Sequence, residues 1–252
     1  MKKDPITLYW SHRTPQRPDQ IDLSSLYAKP KILFSDVRSH KLDTAPSDSI
    51  LACPAVSNKF KKTIIFESPM DCSYEYDFTD GKEEFRPTTE SFMGYGVVRP
   101  PALDYGPHLH LGLDYLLFAD EPLNAFFSPP YFHKPQYTNY GTILPGEFDI
   151  GQWFRGYAFE LQMWNNKGEL HLKEAEPVFY LEFKTDRPIH IKRFNTNQML
   201  MNYAIENSLS TQMFGRGQSL LTRYNRFNKV GMREKILTEI KKNLIDEDPL
   251  IL

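Results

Sequence analysis

The stretch YAFELQMWNNKGELHLKEAEPVFYLEFKTDRPIHIKRF, residues 157–194, decides the fold class. Apolar and polar residues alternate in four short runs, which is the two-residue period of half-buried β-strands. The runs cover 157–164, 169–174, 178–183 and 189–194. We expect the first two runs to form a hairpin and the last two to continue it as a meander, because turn-forming residues separate them. Several strands at this spacing indicate a sandwich or a barrel.

Strand-like runs continue towards the N-terminus as far as residue 51. The runs TIIFES at 63–68 and CSYEYDF at 72–78 predict another hairpin, with Pro69 in its turn. A chain of 252 residues is within the size range of one all-β domain. We therefore predict a mainly β, single-domain fold, an antiparallel β-sandwich or jelly-roll-like barrel, with residues 51–195 as its core.

The segments on either side of this core have a different character. Residues 1–50 contain five prolines and little periodicity, which predicts an extended Pro-rich arm over the surface. Residues 196–252 are predicted to be a helical C-terminal segment, because apolar residues recur there at helical spacing. The two helix faces consist of Met199, Leu200, Tyr203 and Ala204, and of Met232, Ile236, Ile240 and Leu244. The apolar end PLIL, 249–252, could dock on its own core or on a neighbouring molecule.

The composition is that of an ordinary globular protein. The formal net charge is −2, with 40% apolar and 25% charged residues, so the charge balance predicts no particular partner. The longest apolar runs fall far short of the ~20 residues that cross a bilayer, and no signal peptide is recognisable. We expect a location in the cytoplasm and, from the pair Cys53 and Cys72, buried free thiols.

A candidate metal site lies in the stretch GPHLHLGLDYLLF, residues 106–118. A strand would point His108 and His110 to one face, together with Asp114. The spacing resembles the first motif of cupins, in which a later histidine completes an iron or manganese site. His190 or His171 could be that later ligand, so Fe(II) or Mn(II) is the candidate cofactor.

The same spacing has an ordinary structural interpretation. On a straight strand His110 and Asp114 lie roughly 13 Å apart, too far for one ion. A bend or bulge at Gly112 would fold Asp114 back towards the histidines. Without it, the stretch is a half-buried strand whose leucines face inward and whose polar residues face outward.

A cationic stretch near the C-terminus suggests a second kind of site. Aromatic residues Tyr224 and Phe227 lie among its basic residues, an arrangement that can follow a phosphate backbone and stack bases. A solvated helix face is the alternative. The candidate nucleic-acid contacts are Arg216, Arg223, Arg226, Lys229 and Arg233.

The heptapeptide DIGQWFR, residues 149–155, suggests a third site. It brings an acid, a large aromatic and a guanidinium close together as Asp149, Trp153 and Arg155. These residues could line a ligand pocket. An ion pair between Asp149 and Arg155, or Arg155 stacked on Trp153, could equally be a structural strut between sheets.

Four longer strings carry a family resemblance: LYW at 8–10, CPAV at 53–56, GEFDIGQWFRG at 146–156 and EPVFYLEF at 176–183. Their order resembles a family of uncharacterised proteins of tailed phages that infect marine cyanobacteria, with distant bacterial relatives. The resemblance extends from the N-terminus to about residue 195. It implies a phage-encoded protein that acts in the host cytoplasm or is carried in the virion.

These features leave three functions open. The sequence contains no G-x-S-x-G elbow, phosphate-binding loop or other complete catalytic motif, which favours a non-catalytic protein that binds a host or virion protein or forms a homo-oligomer. A cupin-like, iron-dependent oxygenase or related enzyme is the alternative, through His108, His110, Asp114 and His190. Nucleic-acid binding by the basic stretch is the third possibility.

Overall fold

The computed structural model describes residues 4–12, 26–39, 49–81, 84–88, 97–99, 106–208, 222, 225, 227 and 231–252. The strands are β1 (Ile6–His12), β2 (Lys31–Ile32), β3 (Thr63–Glu67), β4 (Cys72–Asp77), β5 (Glu84–Pro87), β6 (Val97–Arg99), β7 (His108–Ala119), β8 (Asn124–Ser128), β9 (Gly141–Ile143), β10 (Gly146–Asp149), β11 (Gly156–Met163), β12 (Lys167–Leu172), β13 (Pro177–Phe183), β14 (Ile189–Arg193) and β15 (Leu250–Ile251). The helices are α1 (Leu33–Ser39), α2 (Pro54–Lys61), α3 (Gln198–Ser208) and α4 (Met232–Lys242). The predicted mainly β fold with C-terminal helices is confirmed.

The described strands form three sheets. Sheet 1 has the order β15-β14-β1-β7-β11-β9, and β6 also pairs with β7. Sheet 2 has the order β10-β8-β13-β3-β2, and sheet 3 the order β12-β4-β5. Neighbouring strands are antiparallel except for β1 and β14, which run parallel.

Buried residues gather in three cores. All three sheets contribute to the central core, with residues such as Leu117, Phe179 and Tyr74. The helical core lies on the other face of sheet 1, where Leu116 and Phe118 meet α3 and α4. A small core joins α1 and α2 to sheet 2 through Tyr180. Sheet 1 is therefore buried on both faces over part of its area, which explains why its central strands are rich in apolar residues.

The strands predicted from the alternating pattern exist, but their predicted pairing is wrong. β11 pairs with β7 and β9, whereas β12 pairs with β4, so residues 157–174 do not form a hairpin. β13 joins β3 and β8 in sheet 2, and β14 returns to sheet 1, so the meander is also absent from these strands. Nor does β3 pair with β4. Successive strands thus lie in different sheets, and all three sheets bury apolar side chains in the same central core.

The N-terminal segment contributes more than a surface arm. β1 lies between β14 and β7 within sheet 1, and its Leu8 and Trp10 are almost completely buried. Its run ITLYWSH provides apolar residues for both faces, which suits an interior strand. The rest of the predicted arm includes α1, while residues 13–25 and 40–48 lie outside the described part.

The two predicted helix faces are found in part: Met199 of α3 is 50% exposed, and Leu244 lies beyond the end of α4. Leu200 and Ala204 of α3 and Ile236 and Ile240 of α4 are buried in the helical core. Among the residues that the structure describes, no helix has both the length and the apolar character needed to cross a membrane. Of the two cysteines, Cys72 is buried as expected but Cys53 is exposed, since it lies just before α2 at the surface.

The C-terminal tail docks on its own sheet. β15 pairs with the outer side of β14, and Leu252 exchanges two backbone hydrogen bonds with Ile189, at 3.0 and 3.2 Å. Leu250 and Leu252 pack against the central core, whereas the Ile251 side chain is 57% exposed. The tail thus extends sheet 1 and protects the backbone of β14.

Removal of residues 250–252 should lower the free energy of unfolding by roughly 2–3 kcal/mol, because two partly buried leucines and the β15 hydrogen bonds are lost. Urea denaturation followed by circular dichroism measures the change. The control Ile251→Ala should change stability by less than about 0.5 kcal/mol. If the deletion halved the mass measured by light scattering without reducing stability, the tail would instead join copies of the chain.

Candidate functional site

A cavity of about 560 Å³ lies where β10 of sheet 2 meets β11 of sheet 1. This volume is within the range of small-molecule sites. Its apolar lining consists of Phe127, Leu144, Pro145, Phe148, Trp153 and Tyr157, and its charged lining of Glu147, Asp149, Arg155 and Glu160. All three residues of the predicted ligand pocket, Asp149, Trp153 and Arg155, therefore face one cavity.

The loop between β10 and β11 carries Trp153 and Arg155. Two other residues of this loop are buried in different cores and hold it in place. Ile150 is fully buried in the central core, and Phe154 is fully buried in the helical core. Phe154 packs edge-on against Phe118, with ring centroids 5.5 Å apart. Neither anchor lines the cavity, whereas the half-buried Trp153 and Arg155 on either side of Phe154 do.

Asp149 fixes the start of the same loop. Its carboxylate accepts hydrogen bonds from the backbone N–H groups of Leu123, at 2.9 Å, and Gly151, at 2.8 Å. The Gln152 side-chain amide donates a third, at 2.7 Å. A carboxylate that accepts hydrogen bonds from several donors of a loop stabilises the conformation of that loop. Asp149 thus acts as a strut while it also borders the cavity.

Gly151 lets the loop approach the turn that follows β7. A Cβ atom at this position would lie 2.1 Å from the carbonyl oxygen of Glu121, so no larger residue fits without movement of the backbone. From the other side, Arg233 of α4 donates from Nε to the Gly151 carbonyl, at 2.9 Å, and from its guanidinium to the Ala119 carbonyl, at 3.3 Å. Arg233, one of the predicted nucleic-acid contacts, therefore ties α4 to this loop.

Trp153 and Arg155 interact directly. The guanidinium carbon of Arg155 lies 5.1 Å from the centre of the Trp153 ring, within the range of a cation–π contact. The stacking predicted as a strut is thus present, and the same pair forms a wall of the cavity. Binding of a ligand by these residues stays a prediction.

Tyr157 is a cavity residue that the sequence did not reveal. Its side chain is 7% exposed, and its buried hydroxyl has no hydrogen-bond partner among the described residues. Burial raises the pKa of this phenol, the charge of Arg155 lowers it, and that of Asp149 raises it. In the alternating run of β11 Tyr157 is indistinguishable from a core aromatic, so no sequence signal marks it as part of a site.

The carboxylates of the cavity have partners within the protein. Glu147 is paired with Lys184, at 2.5 Å, and Glu160 with His110 across the strand pair, at 3.0 Å. Asp149 is engaged by the loop donors described above. Arg155 is the basic residue of the lining, beside these three carboxylates.

The predicted metal ligands lie on the face of sheet 1 opposite the central core. His110 contacts Glu160, and His108 is hydrogen-bonded to Gln162, the next outward residue of β11. Each imidazole is thus matched with a polar cross-strand neighbour, which is the ordinary arrangement on a half-exposed sheet face.

The break in β7 that the metal hypothesis required is present. Tyr157 lies opposite Tyr115 and Ala158 opposite Gly112, so Leu113 and Asp114 form a bulge. Asp114 adopts a positive φ of 55°, and its Oδ1 lies 3.9 Å from the position that a Cβ at Gly112 would occupy. The carboxylate therefore folds back along the strand, towards the side that carries His110.

The proposed third histidine lies elsewhere. His190 is opposite Thr7, in the part of β1 that pairs near Ala119, nine residues and roughly 25–30 Å along β7 from His110. His171 lies in sheet 3. Across the described residues, no three His, Cys, Asp or Glu side chains are placed to hold a metal ion.

His171 belongs to a separate hydrogen-bonded row in sheet 3. Its Nδ1 lies 2.8 Å from the Ser73 hydroxyl, and its Nε2 lies 3.1 Å from the Glu169 carboxylate. Hydrolases use these residue types, but their histidine turns Nε2 to the serine and Nδ1 to the acid. The order here is reversed, so the row is better explained as cross-strand pairing.

Replacement of Asp149 by alanine should destabilise the protein by about 1–3 kcal/mol, because the N–H groups of Leu123 and Gly151 lose their acceptor. Asp149→Asn keeps one acceptor oxygen and should cost less. Urea denaturation measures both, with Glu147→Ala as an exposed carboxylate control that changes stability by less than about 1 kcal/mol. Wild-type stability of Asp149→Ala would show that the loop does not depend on this strut.

Comparison with known proteins adds no relative to this description. No family model matches the chain, and no curated protein matches it.

Proposed function

We propose that the chain is a non-catalytic, phage-encoded binding protein whose ligand site is the cavity between β10 and β11. The observation that carries the proposal is the Trp153–Arg155 stack, held in the wall of a ligand-sized cavity by a loop anchored in two cores. Rigid support of a few exposed side chains is the usual construction of a binding site.

The charges around the cavity favour binding over catalysis. A general acid or base needs a proton-transfer group that is free to meet the substrate. Asp149 and Glu147 instead hold protein donors, so their oxygens already serve the fold. Arg155 and Trp153 are side chains that recognise a ligand through charge and stacking, with no proton transfer.

The apolar tail, which the sequence offered as a possible docking segment, is occupied within the protein. Because the tail completes sheet 1, a host or virion component would meet the protein at the cavity instead. The phage context itself rests on the family resemblance of the four sequence strings.

The cupin-like alternative is supported by one observation, the bulge that turns Asp114 back along β7. We expect protein purified without chelator to contain iron, manganese and zinc at well below one ion per chain, with the same content in His110→Ala. Elemental mass spectrometry makes the measurement. Stoichiometric iron or manganese that disappears in His110→Ala would favour the enzyme.

Nucleic-acid binding has less support from the described residues. Arg233 is used within the protein, and Arg216, Arg223, Arg226 and Lys229 lie outside the described part. A mobility-shift assay at increasing salt concentration tests this third function, since binding through phosphates weakens steeply with salt.

The binding proposal predicts where small molecules attach. In a fragment screen followed by ¹H–¹⁵N correlation spectra, the fragments that bind should shift amide signals of residues 144–160. Trp153→Ala should abolish these shifts, because it removes the aromatic wall. Trp164→Ala removes a 55% exposed tryptophan outside the cavity lining and should leave them unchanged. Shifts confined to other regions would contradict the proposal.

A further inference from the structure

We propose that the cavity binds an extended peptide segment of a partner protein, which adds to β10 as a further strand of sheet 2. The segment that fits alternates apolar and basic residues. This inference rests on the proposed function, because it names the partner class of the same site. It follows from the edge of β10, the two faces of that strand and the charges of the cavity lining.

The edge of β10 that faces away from β8 has no strand partner among the described residues. Hydrogen-bonded and non-hydrogen-bonded pairs alternate along an antiparallel ladder. Ile150 donates its N–H to the Leu123 carbonyl, at 3.0 Å. By this alternation Phe148 and Gly146 also bond towards β8, whereas the N–H and C=O groups of Glu147 point to the opposite side.

The backbone of β8 supports the same alternation. Lys184 donates its N–H to the Asn124 carbonyl, at 3.1 Å, so Asn124 and Phe126 bond towards β13. Ala125 and Phe127 are left to bond towards β10, and they lie opposite the two residues of β10 that bond inward. The outward position of the Glu147 backbone thus follows from both strands.

The facing wall of the cavity also presents backbone groups. The Glu160 carbonyl accepts a hydrogen bond from the Leu144 N–H, at 2.8 Å, on the β9 side of β11. Two residues earlier, Ala158 presents its N–H and C=O on this same side, where the chain has turned away into β10. Glu147 and Ala158 both line the cavity. An extended chain satisfies backbone groups arranged along a strand edge, which is the basis of strand addition.

The inner face of β10 suits apolar side chains of the added strand. Every described strand pair in sheet 2 is antiparallel, and directly opposite residues of such a pair share one face. Phe148 packs against the central core, so Gly146 shares its inner face and Glu147 lies on the outer one. A Cβ at Gly146 would have no described atom within 4 Å, which leaves space on the inner face.

The outer face favours a basic residue on the added strand. The residue opposite Glu147 would lie beside its carboxylate, and opposite charges across a strand pair are stabilising. Three carboxylates line the cavity, whereas Arg155 is the basic residue of its lining. Lys184 already pairs with Glu147, but both side chains of this ion pair are exposed, so it contributes little. The order apolar, basic, apolar therefore complements residues 146–148.

Three synthetic heptapeptides labelled with fluorescein test the proposal by fluorescence anisotropy. The first alternates lysine with valine or phenylalanine, and the second has glutamate in place of each lysine. The third is the first peptide with N-methyl groups on its lysines, whose N–H groups would pair with Glu147. The wild-type protein should bind the first peptide at least about tenfold more tightly than either of the others, since each of them loses a charge pair or backbone hydrogen bonds.

Two variants at one position separate the backbone from the side chain. Glu147→Pro removes an N–H that faces away from β8, and proline is tolerated at such an edge position. It should weaken the first peptide at least about tenfold. Glu147→Ala keeps the N–H and should weaken that peptide less than about fivefold, through loss of one exposed charge. Circular dichroism checks the folding of both variants, and the N-methylated peptide makes the same test on the unaltered protein.

The outcomes distinguish this inference from the proposed function. Equal binding of the three peptides, or unchanged binding to folded Glu147→Pro, would overturn strand addition. If no peptide bound while fragments still shifted the amide signals of residues 144–160, only this inference would fail, and the cavity would remain a small-molecule site. If neither peptides nor fragments shifted those signals, the binding proposal itself would be overturned.

Discussion

The double burial of β7 is the constraint on which the rest of the structure depends. In its second half, Leu117 faces the central core while Leu116 and Phe118 face the helical core. The strand pairs with β1, β6 and β11, so it holds sheet 1 together. Full burial of an apolar side chain of this size contributes about 1.5–3 kcal/mol to the free energy of unfolding. A strand with apolar residues on both faces receives this contribution from both cores.

The bulge in β7 is compatible with this constraint because it contains two extra residues. A shift of one residue would turn every following side chain to the opposite face. With Leu113 and Asp114 inserted together, Leu111 before the bulge and Tyr115 after it both remain in the central core. The positive φ of Asp114 is the local cost of that arrangement, and aspartate is among the residues that tolerate it best.

The candidate site follows from the same two-sided burial. The loop between β10 and β11 places Ile150 in the central core and Phe154 in the helical core. Gly151 lies between them and approaches the backbone of Glu121 too closely for any larger residue. Arg233 of α4 then fixes the loop from the helical side. Trp153 and Arg155 remain half-buried at the cavity, while Ile150, Gly151 and Phe154 of the same loop are buried in the fold.

The sequence predicted what depends on near neighbours in the chain. The alternation in 157–163 identified β11, and the helical spacing identified the buried residues of α3 and α4. The string DIGQWFR grouped Asp149, Trp153 and Arg155, which all line one cavity, but left open whether they bind a ligand or brace the sheets. The sequence did not predict strand pairing, because β11 and β12 pair with residues 18 to 100 positions away, and the alternation is the same whichever partner is chosen.

Tyr157 and Glu160 were missed for a related reason. Within an alternating strand, an inward tyrosine predicts a core residue and an outward glutamate predicts a solvated one. Only the position of β10 beside β11 makes them part of a cavity, and that position is set by the pairing of β10 with β8 in another sheet.

At Tyr157 the residue that would favour stability differs from the residue that would favour binding. A buried hydroxyl that lacks a partner costs about 1–3 kcal/mol relative to one that is hydrogen-bonded, and phenylalanine would fill the same space without that cost. Loop N–H groups satisfy Asp149, and His110 contacts Glu160, whereas the Tyr157 hydroxyl has no hydrogen-bond partner among the described residues. A ligand that brings a hydrogen-bond acceptor to this hydroxyl would remove that cost, so Tyr157 connects the stability of the cavity with its proposed use as a binding site.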